Sequence, residues 1–268
     1  MNTGITHFGY RHVSAAEKTG LVNSLFSSIA AKYDLMNDIM SFGMHRHVKR
    51  RVIGLCRISS GDRVLDLAGG TGDMALYAGN ITGENGQVIL TDINEEMIRT
   101  AVSRIQTKKS AACRITCIRA DAQFLPFEQN SFDCVIISFG LRNFTDIPAA
   151  LRSVRRVLKP GGRLVILDFS RPENRLIRRM YQIYSFMLVP VIAKLITGYS
   201  GSYLYLAESI QMHPEQRRII QMMQESGYNA CRYYNIFNGI IAVHEGIRTG
   251  SLDKPEHAPA IGRRNAEK

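Results

Sequence analysis

Short apolar runs alternate with helical segments through the middle of this 268-residue chain. Each run has the length of a strand and ends near glycine or polar turn residues, which favours strands buried in a sheet. Strands that alternate with helices predict βαβ units, and therefore a doubly wound, mostly parallel α/β sheet. The predicted strands cover residues 63–68, 87–92, 114–121, 131–138 and 163–170.

Helices are predicted in the intervals between these strands. One begins at about Asp73, a second covers residues 93–109 and a third covers residues 147–158. The Lys-Pro-Gly-Gly sequence at 159–162 is a strong breaker and is expected to end the third helix. Residues 228–246 predict two closing strands around Asn238-Gly239, a typical hairpin signal, so the sheet should end in an antiparallel pair.

The change of pattern along the chain predicts five segments. The region before the first strand has helical periodicity, and the region after the fifth strand becomes mostly helical again. The segments are an N-terminal helical cap (1–56), the core of the sheet (57–170), a helical substrate insertion (171–226), the closing strands of the core (227–247) and a polar tail (248–268).

A net charge of +11 makes nucleic acid and anionic lipid head groups candidate partners. The basic residues are densest in two patches, each of which is most simply interpreted as a solvated helix face. The first patch consists of His45, Arg46, His47, Lys49, Arg50 and Arg51, and the second of Arg171, Arg175, Arg178 and Arg179.

The five cysteines form no CxxC pair, which favours a reduced compartment and predicts no metal site.

No segment is suited to targeting or to membrane spanning. The N-terminal sequence MNTGITHFGYRHV lacks the apolar core of a signal peptide. The most apolar stretch, residues 183–196, contains Pro190 and Lys194 and is shorter than the ~20 residues that a membrane span needs. We therefore expect a cytoplasmic protein, whose contact with the inner membrane surface would be peripheral.

A glycine-rich loop follows the first predicted strand, where residues 66–73 read Asp-Leu-Ala-Gly-Gly-Thr-Gly-Asp. Three glycines within four residues let the backbone approach a ligand, and ligands bind at the carboxyl ends of the strands of such sheets. A dinucleotide loop has GxGxxG spacing and directs a helix N-terminus at a pyrophosphate. Here Asp66 and Asp73 flank the loop, and carboxylates repel pyrophosphate but suit a cationic ligand. S-adenosyl-L-methionine, with its sulfonium and ammonium groups and no phosphate, meets this requirement.

Acidic residues also end the next two predicted strands. Asp92 can accept hydrogen bonds from both ribose hydroxyls, and Asp121 can accept one from the adenine amine, with Phe124 against the ring. Each could be a plain turn residue, but acids at successive strand ends favour a cofactor site. The residues predicted from the loop and the strand ends are Asp66, Gly69, Gly70, Gly72, Asp92 and Asp121.

Three motifs resemble those of the UbiE-type quinone C-methyltransferases, and the resemblance covers nearly all of residues 15–247. They are YDLMNDIMS at 33–41 with His45 beyond it, RVLKPGG at 156–162 running on to Ser170, and SFGLRN at 138–143. The resemblance implies a Rossmann-like class I methyltransferase fold with an N-terminal and an inserted helical cap. The chain departs from the family pattern at Val48, where Trp is usual, and at Asp168, where Glu is usual.

The resemblance also implies a reaction, namely methylation of a ring carbon of a prenylated quinol. The acceptor is demethylmenaquinol, a methoxy-polyprenyl-benzoquinol, or both, in menaquinone or ubiquinone biosynthesis. A homodimer and contacts with other quinone-biosynthesis proteins are open alternatives for assembly. The cofactor contacts that carry over from the family are Thr71, Asp92, Asp121, Ala122 and Ser138.

The acceptor carbon must be electron-rich, and deprotonation of a neighbouring hydroxyl makes it more so. A phenol has a pKa of ~10, so its anion costs about 4 kcal/mol at pH 7. We predict that Arg142 stabilises this oxyanion, with Asn143 as a hydrogen-bond donor beside it. Tyr33 and Asp34 are predicted to lie over the cofactor and complete the catalytic set. The base is left open among Asp34, His45, His213 and a bound water.

The prenyl tail needs an apolar trough, and residues 180–196 are rich enough in Met, Leu, Ile, Val and aromatics to form one. Such a stripe is also typical of a core. Its basic flank, residues 175–179, would favour anionic head groups by roughly 1 kcal/mol per Lys or Arg.

Three rival functions remain. An RNA or DNA methyltransferase would fit the charge, but the loop at 138–143 lacks the Asn-Pro-Pro-Tyr sequence that holds a flipped base. A methyltransferase of secondary metabolism would fit Val48. A catalytically silent binding subunit is disfavoured by the intact glycine loop and Asp92.

Overall fold

The computed structural model describes residues 4–41, 43–108, 114–192 and 201–250. Its centre is a seven-stranded sheet with strand order β5-β4-β3-β6-β7-β9-β8, which confirms the predicted doubly wound sheet. The first five of these strands are parallel, whereas β9 runs antiparallel to β7 and to β8. The strands are β3 (Arg63–Leu67), β4 (Gln87–Asp92), β5 (Arg114–Arg119), β6 (Phe132–Ser138), β7 (Leu158–Phe169), β8 (Tyr228–Ile236) and β9 (Ile241–Arg248), and a separate hairpin holds β1 (Ile5–Phe8) and β2 (Arg11–Ser14).

Helices cover both faces of the sheet and the edge at which the parallel strands end. Helices α3, α4 and α5 pack on one face, through the buried side chains of Val64, Val88 and Leu90. Helices α6 and α9 pack on the other face, where Leu65 and Ile137 are buried. The helices are α1 (Ala15–Ile29), α2 (Tyr33–Met40), α3 (Met44–Leu55), α4 (Asp73–Thr82), α5 (Glu95–Lys108), α6 (Ile147–Val157), α7 (Arg175–Ile183), α8 (Gly201–Met212) and α9 (Gln216–Glu225).

Two local structures differ from the sequence prediction. The breaker at 159–162 does not end a helix, because α6 already ends at Val157 and β7 begins at Leu158 and continues through the breaker. The hairpin β1–β2 was not predicted at all. Its turn is made by Gly9, with a φ of +58°, and it lies against Glu208 of α8, a contact remote in sequence.

The prediction that the first basic patch is a uniformly solvated helix face is wrong. His45 and Lys49 are buried, because α3 turns this side towards the rest of the molecule. Lys49 Nζ donates to Asp73 Oδ2 over 2.9 Å, and the guanidinium of Arg46 pairs with Asp38. In the second patch, Arg175, Arg178 and Arg179 of α7 are exposed, whereas Arg171 is half-buried.

The helical segment that follows β7 begins with one continuous helix. Helix α7 passes through a π-helical turn, Tyr184–Leu188, and the chain stays helical to residue 192. Helix α9, at the other end of the same segment, packs on α6, β8 and β9. Residues 193–196 of the predicted trough, Cys113 and most of the tail lie outside the described residues. No helix within the described ranges is long and apolar enough to cross a membrane.

Candidate active site

Two adjoining cavities open at the carboxyl ends of the parallel strands. The strand-end cavity is lined by the glycine loop and by the residues that follow β4, β5 and β6. The apolar cavity has a volume of about 550 Å³ and lies between α2, α3, α7 and α8. The two cavities share wall residues, which are Phe26, Tyr33, Lys49 and Phe139.

The backbone of the glycine loop beside the strand-end cavity adopts left-handed conformations, which residues other than glycine rarely take. Ala68, Gly70 and Gly72 have φ values of +56°, +54° and +88°. A Cβ on Gly70 would meet no atom within 4 Å, so the loop leaves open space on this side. At Gly69 a Cβ would lie 2.7 Å from Leu90 and 2.9 Å from Asp66, so glycine is needed there for close packing.

Asp66 lies behind the wall of this cavity. Its side chain is fully buried, and its Oδ2 accepts a hydrogen bond from the backbone N–H of Ala75 over 2.9 Å. Burial raises the pKa of Asp66 to about 7. Gly72, which immediately precedes α4, is likewise absent from the described wall and lies against Leu90 of β4. Both residues shape the loop from behind the described wall, and their assignment as cofactor contacts stays a prediction.

Three polar residues at strand ends do line the strand-end cavity. Asp92 accepts from the N–H groups of Gly70 (3.0 Å) and Asn94 (2.9 Å), and burial raises its pKa. Asp121 Oδ1 accepts from the backbone N–H of Gln123. Ser138 lines the same wall, and its buried Oγ has no partner among the described residues. Fixed carboxylates and an unpartnered hydroxyl suit a ligand that carries ribose, amine and sulfonium groups.

Phe124 does not lie against this cavity. Its side chain is 79% exposed, and it is absent from the described wall. The expected adenine contact is therefore wrong, because the turn after Asp121 directs Phe124 to solvent.

Helix α1 and the start of α2 cover the strand-end cavity. Thr19, Val22 and Phe26 of α1 line it, and Tyr33 lies where it meets the apolar cavity. Asp34, the next residue, lines neither described wall.

Asp34 belongs to a polar network that joins α2 to the glycine loop. Its carboxylate accepts from Thr71 Oγ1 (2.7 Å) and pairs with Arg104 (3.0 Å), which also binds Asp73. Burial alone would raise the pKa of Asp73, but Lys49 and Arg104 outweigh it and hold that pKa well below its usual range. Asp34 thus joins α2 to the glycine loop, and its assignment to the catalytic set stays a prediction.

Arg142 lines the apolar cavity, but its charge is not free. Its Nη1 lies 2.5 Å from Asp168 Oδ1 and 2.6 Å from the carbonyl oxygen of Phe139, and its side chain is 5% exposed. Asp168 Oδ2 also accepts from the backbone N–H of Arg142. Burial alone would lower the pKa of Arg142, but Asp168 raises it overall. The arginine therefore provides oriented N–H groups within a neutral pair.

Asn143 and Tyr205 connect the two cavities. Asn143 lines the strand-end cavity, and its Oδ1 accepts from the hydroxyl of Tyr205 over 3.0 Å. Tyr205 lines the apolar cavity, and burial raises its pKa to about 12. Phe8 of the hairpin stacks on this ring at 4.2 Å. Sequence patterns gave no signal for Tyr205, because it comes from α8 and meets Asn143 only in the fold.

Of the three candidate bases, only His45 lines a cavity. Its Nε2 lies 2.8 Å from Asp38 Oδ1, and burial is the main cause that lowers its pKa. His213 is buried behind Asp168 and Arg142, outside both described walls, and burial lowers its pKa to about 4. Asp34 is engaged in the cap network. His45 is therefore the base candidate that lies beside the apolar cavity.

The structure brings together most of the residues predicted for the cofactor. The doubly wound sheet, the glycine loop and the acids at successive strand ends define a class I S-adenosylmethionine-dependent methyltransferase. The predicted cofactor residues on the strand-end wall are Gly69, Gly70, Thr71, Asp92, Asp121, Ala122 and Ser138.

Solved structures with the same fold agree with this class. A SAM-dependent methyltransferase from Aquifex aeolicus is 16% identical with a TM-score of 0.55, covering 74% of this chain and 88% of its own. A SAM-dependent methyltransferase from Thermotoga maritima is 16% identical with a TM-score of 0.58, covering 84% of this chain and 99% of its own. At these identities the likeness concerns the fold.

The sequence model of the ubiE/COQ5 methyltransferase family matches residues 12–248, and the chain belongs to this family. The ubiquinone/menaquinone biosynthesis C-methyltransferase UbiE of Teredinibacter turnerae is 50% identical over 243 residues, which are 91% of this chain and 97% of that protein. The protein of the same name from Pseudomonas putida is 51% identical over 91% of this chain and 94% of its own. The resemblance inferred from the three motifs is confirmed.

Proposed function

We propose that this chain methylates a ring carbon of a prenylated quinol with S-adenosylmethionine, in ubiquinone or menaquinone biosynthesis. One observation carries the proposal, namely the junction of a polar strand-end cavity with a large apolar cavity at Phe26, Tyr33, Lys49 and Phe139. A polar cofactor and an apolar acceptor can meet there. About 50% identity to C-methyltransferases of this biosynthesis supports the same reaction.

When bound, S-adenosylmethionine supplies an electrophilic methyl group. Asp92, Asp121 and Ser138 would hold its polar groups in the strand-end cavity. Holding two reactants in line can contribute effective molarities of ~10⁵–10⁸ M, so orientation supplies much of the acceleration. The apolar cavity is wide enough for a ring and the first part of a prenyl chain.

Polar groups from the walls of both cavities would orient the quinol ring. Arg142, held by Asp168, presents N–H groups towards a ring oxygen, and Asn143 is fixed beside it by Tyr205. Because the ion pair is neutral, we assign Arg142 hydrogen bonding to the oxygen rather than an uncompensated cation. We assign proton removal to Nδ1 of His45, the base candidate on the wall of this cavity, because Nε2 bonds to Asp38 and Nδ1 has no partner among the described residues.

The finer partner assignments are also part of this proposal. They comprise a cytoplasmic enzyme in peripheral contact with an anionic inner-membrane surface, a homodimer or contacts with other enzymes of quinone biosynthesis, and no nucleic-acid substrate. The division into cap (1–56), core (57–170 with 227–247), substrate insertion (171–226) and tail (248–268) is proposed on the same basis.

The test is methyl transfer from labelled S-adenosylmethionine to two short-tailed, chemically reduced acceptors, a demethylated naphthoquinol and a methoxy-benzoquinol. We expect label on a ring carbon, and the ratio of products assigns the acceptor. Asp92→Asn should abolish most transfer, whereas Asp62→Asn, in the turn before β3, should not. Transfer to RNA in a parallel assay, with none to either quinol, would contradict the proposal.

A further inference from the structure

An apolar stripe runs along the outer side of α7 and its continuation to residue 192. Its members recur at intervals of three or four residues, so they share one face of the helix. Their side chains are about half or more exposed. They are Leu176 (68%), Met180 (62%), Ile183 (53%), Met187 (67%) and Val191 (57%).

The same helix is basic at one end and has no acidic residue between 175 and 192. Arg175, Arg178 and Arg179 are exposed, and none pairs with a carboxylate in the described parts of the chain. They lie near the N-terminus of α7, where the helix dipole disfavours cations. Arg178 Nε donates to the carbonyl oxygen of Pro172 over 3.0 Å, which gives it a structural role. Helix stability does not explain Arg175 and Arg179, whereas an anionic partner does.

The other side of this helix forms a wall of the apolar cavity. Tyr181, Ser185 and Val189 line the cavity, so one helix separates it from the exposed stripe. Met180 belongs to both surfaces, since it lines the cavity and is also exposed. Two further exposed apolar side chains, Met44 (45%) and Phe237 (46%), line the same cavity. The apolar surface is therefore continuous from the stripe into the cavity.

We propose that the stripe and its arginines dock on an anionic lipid bilayer, with the mouth of the apolar cavity facing the lipid. A helix with an apolar face and basic flanking residues is suited to lie in the plane of the interface. The prenyl chain of the acceptor would then enter past Met180 without crossing water. The docking site rests on the chain's own surface, while the route of entry rests on the proposed quinol acceptor.

The docking is tested by co-sedimentation of the full chain with phosphatidylcholine vesicles that contain or lack phosphatidylglycerol. Two arginines near the surface contribute about fivefold each, so Arg175→Glu with Arg179→Glu should weaken binding to anionic vesicles by more than about 20-fold. Ile183→Glu with Met187→Glu should weaken binding by more than about tenfold, because two apolar side chains leave the interface. Added salt should weaken the binding of the unaltered chain.

Two matched substitutions on other helices serve as controls. Val102→Glu places a carboxylate on an exposed position of α5, and Arg152→Glu reverses an exposed charge on α6. Both should bind vesicles as the unaltered chain does. Equal binding to neutral and anionic vesicles, or equal binding by the α7 variants, would overturn the docking. A dimer in light scattering that the α7 variants dissociate would assign the stripe to a second copy instead.

Vesicle binding needs neither cofactor nor acceptor, so its outcome is independent of the proposed reaction. If both proposals hold, the Arg175→Glu/Arg179→Glu variant should methylate a short-tailed quinol in solution at the normal rate. The same variant should lose at least about tenfold in rate on a long-tailed quinol embedded in anionic vesicles, since the membrane contact is weakened. Vesicle binding without quinol methylation would support the docking proposal and contradict the proposed reaction.

Discussion

At the scale of single residues, the Arg142–Asp168 pair is the most constrained interaction of the site. Both side chains are almost fully buried, and Asp168 accepts from the guanidinium, from the backbone N–H of Arg142 and from that of Phe169. Removing one partner of a buried pair leaves an uncompensated charge, which costs more than the pair itself contributes. The pair therefore fixes the loop after β6 as well as the guanidinium.

Asp168→Asn should lower the free energy of unfolding by about 3–5 kcal/mol, because it leaves Arg142 charged and buried. Urea denaturation at pH 7 measures the change. Asp133→Asn is the control, since it breaks a partly exposed pair with Lys159 and should cost about 1 kcal/mol or less. Equal losses for the two variants would mean that the Arg142–Asp168 pair is not stabilising the fold in this way.

The sequence predicted Arg142 but not the state of its charge, and the difference has a physical cause. Strand ends share one edge of a parallel sheet, so Asp92, Asp121 and Ser138 could be placed in one site from the pattern alone. Whether a charge is paired depends on contacts between elements that are remote in the chain. The contact of Asp34 with Thr71, which are 37 residues apart in the chain, could therefore not be predicted from the sequence pattern.

At the scale of elements, the cap helix α1 is fastened to the sheet by Asn94. The Nδ2 of Asn94 donates to the carbonyl and the side-chain oxygen of Asn23 (2.8 and 2.7 Å) and to Ser27 Oγ (2.9 Å). Its Oδ1 accepts from the backbone N–H of Met97 at the start of α5. One side chain thus caps α5 and holds α1 over the strand-end cavity.

Asn94→Asp separates these two functions, because aspartate also caps helices but cannot donate to Asn23 and Ser27. We expect faster amide exchange in α1 and a dissociation constant for S-adenosylmethionine raised about tenfold, since hydrogen bonds of ~0.5–1.5 kcal/mol each are lost. Hydrogen exchange and titration calorimetry measure both. Asn23→Ala should reproduce the effect from the cap side, and unchanged exchange in both variants would contradict the assignment.

At the scale of the whole molecule, the pH dependence of stability is set by buried groups whose shifted pKa values have opposite effects. His213 and His244 are buried, and the ring of His213 has no hydrogen-bond partner among the described residues. Burial is the main cause that lowers the pKa of each from 6.5 to about 4. Asp66 acts in the opposite direction, because its raised pKa makes the folded state bind a proton that the unfolded chain has lost.

The two histidines predict a loss of stability in acid. In the unfolded chain each histidine takes up a proton as the pH falls below 6.5. In the folded chain the same histidine stays unprotonated until about pH 4. Stability that is present above pH 6.5 is therefore lost as the pH falls from 6.5 towards 4. The loss should approach about 3 kcal/mol per histidine. His244→Leu should flatten the pH dependence of urea unfolding between pH 7 and about 4.5, whereas His47→Leu, at an exposed position, should leave it unchanged. Because Asp66 is present in both variants, its opposing contribution cancels in the comparison, and equal slopes would show that His244 titrates normally in the folded protein.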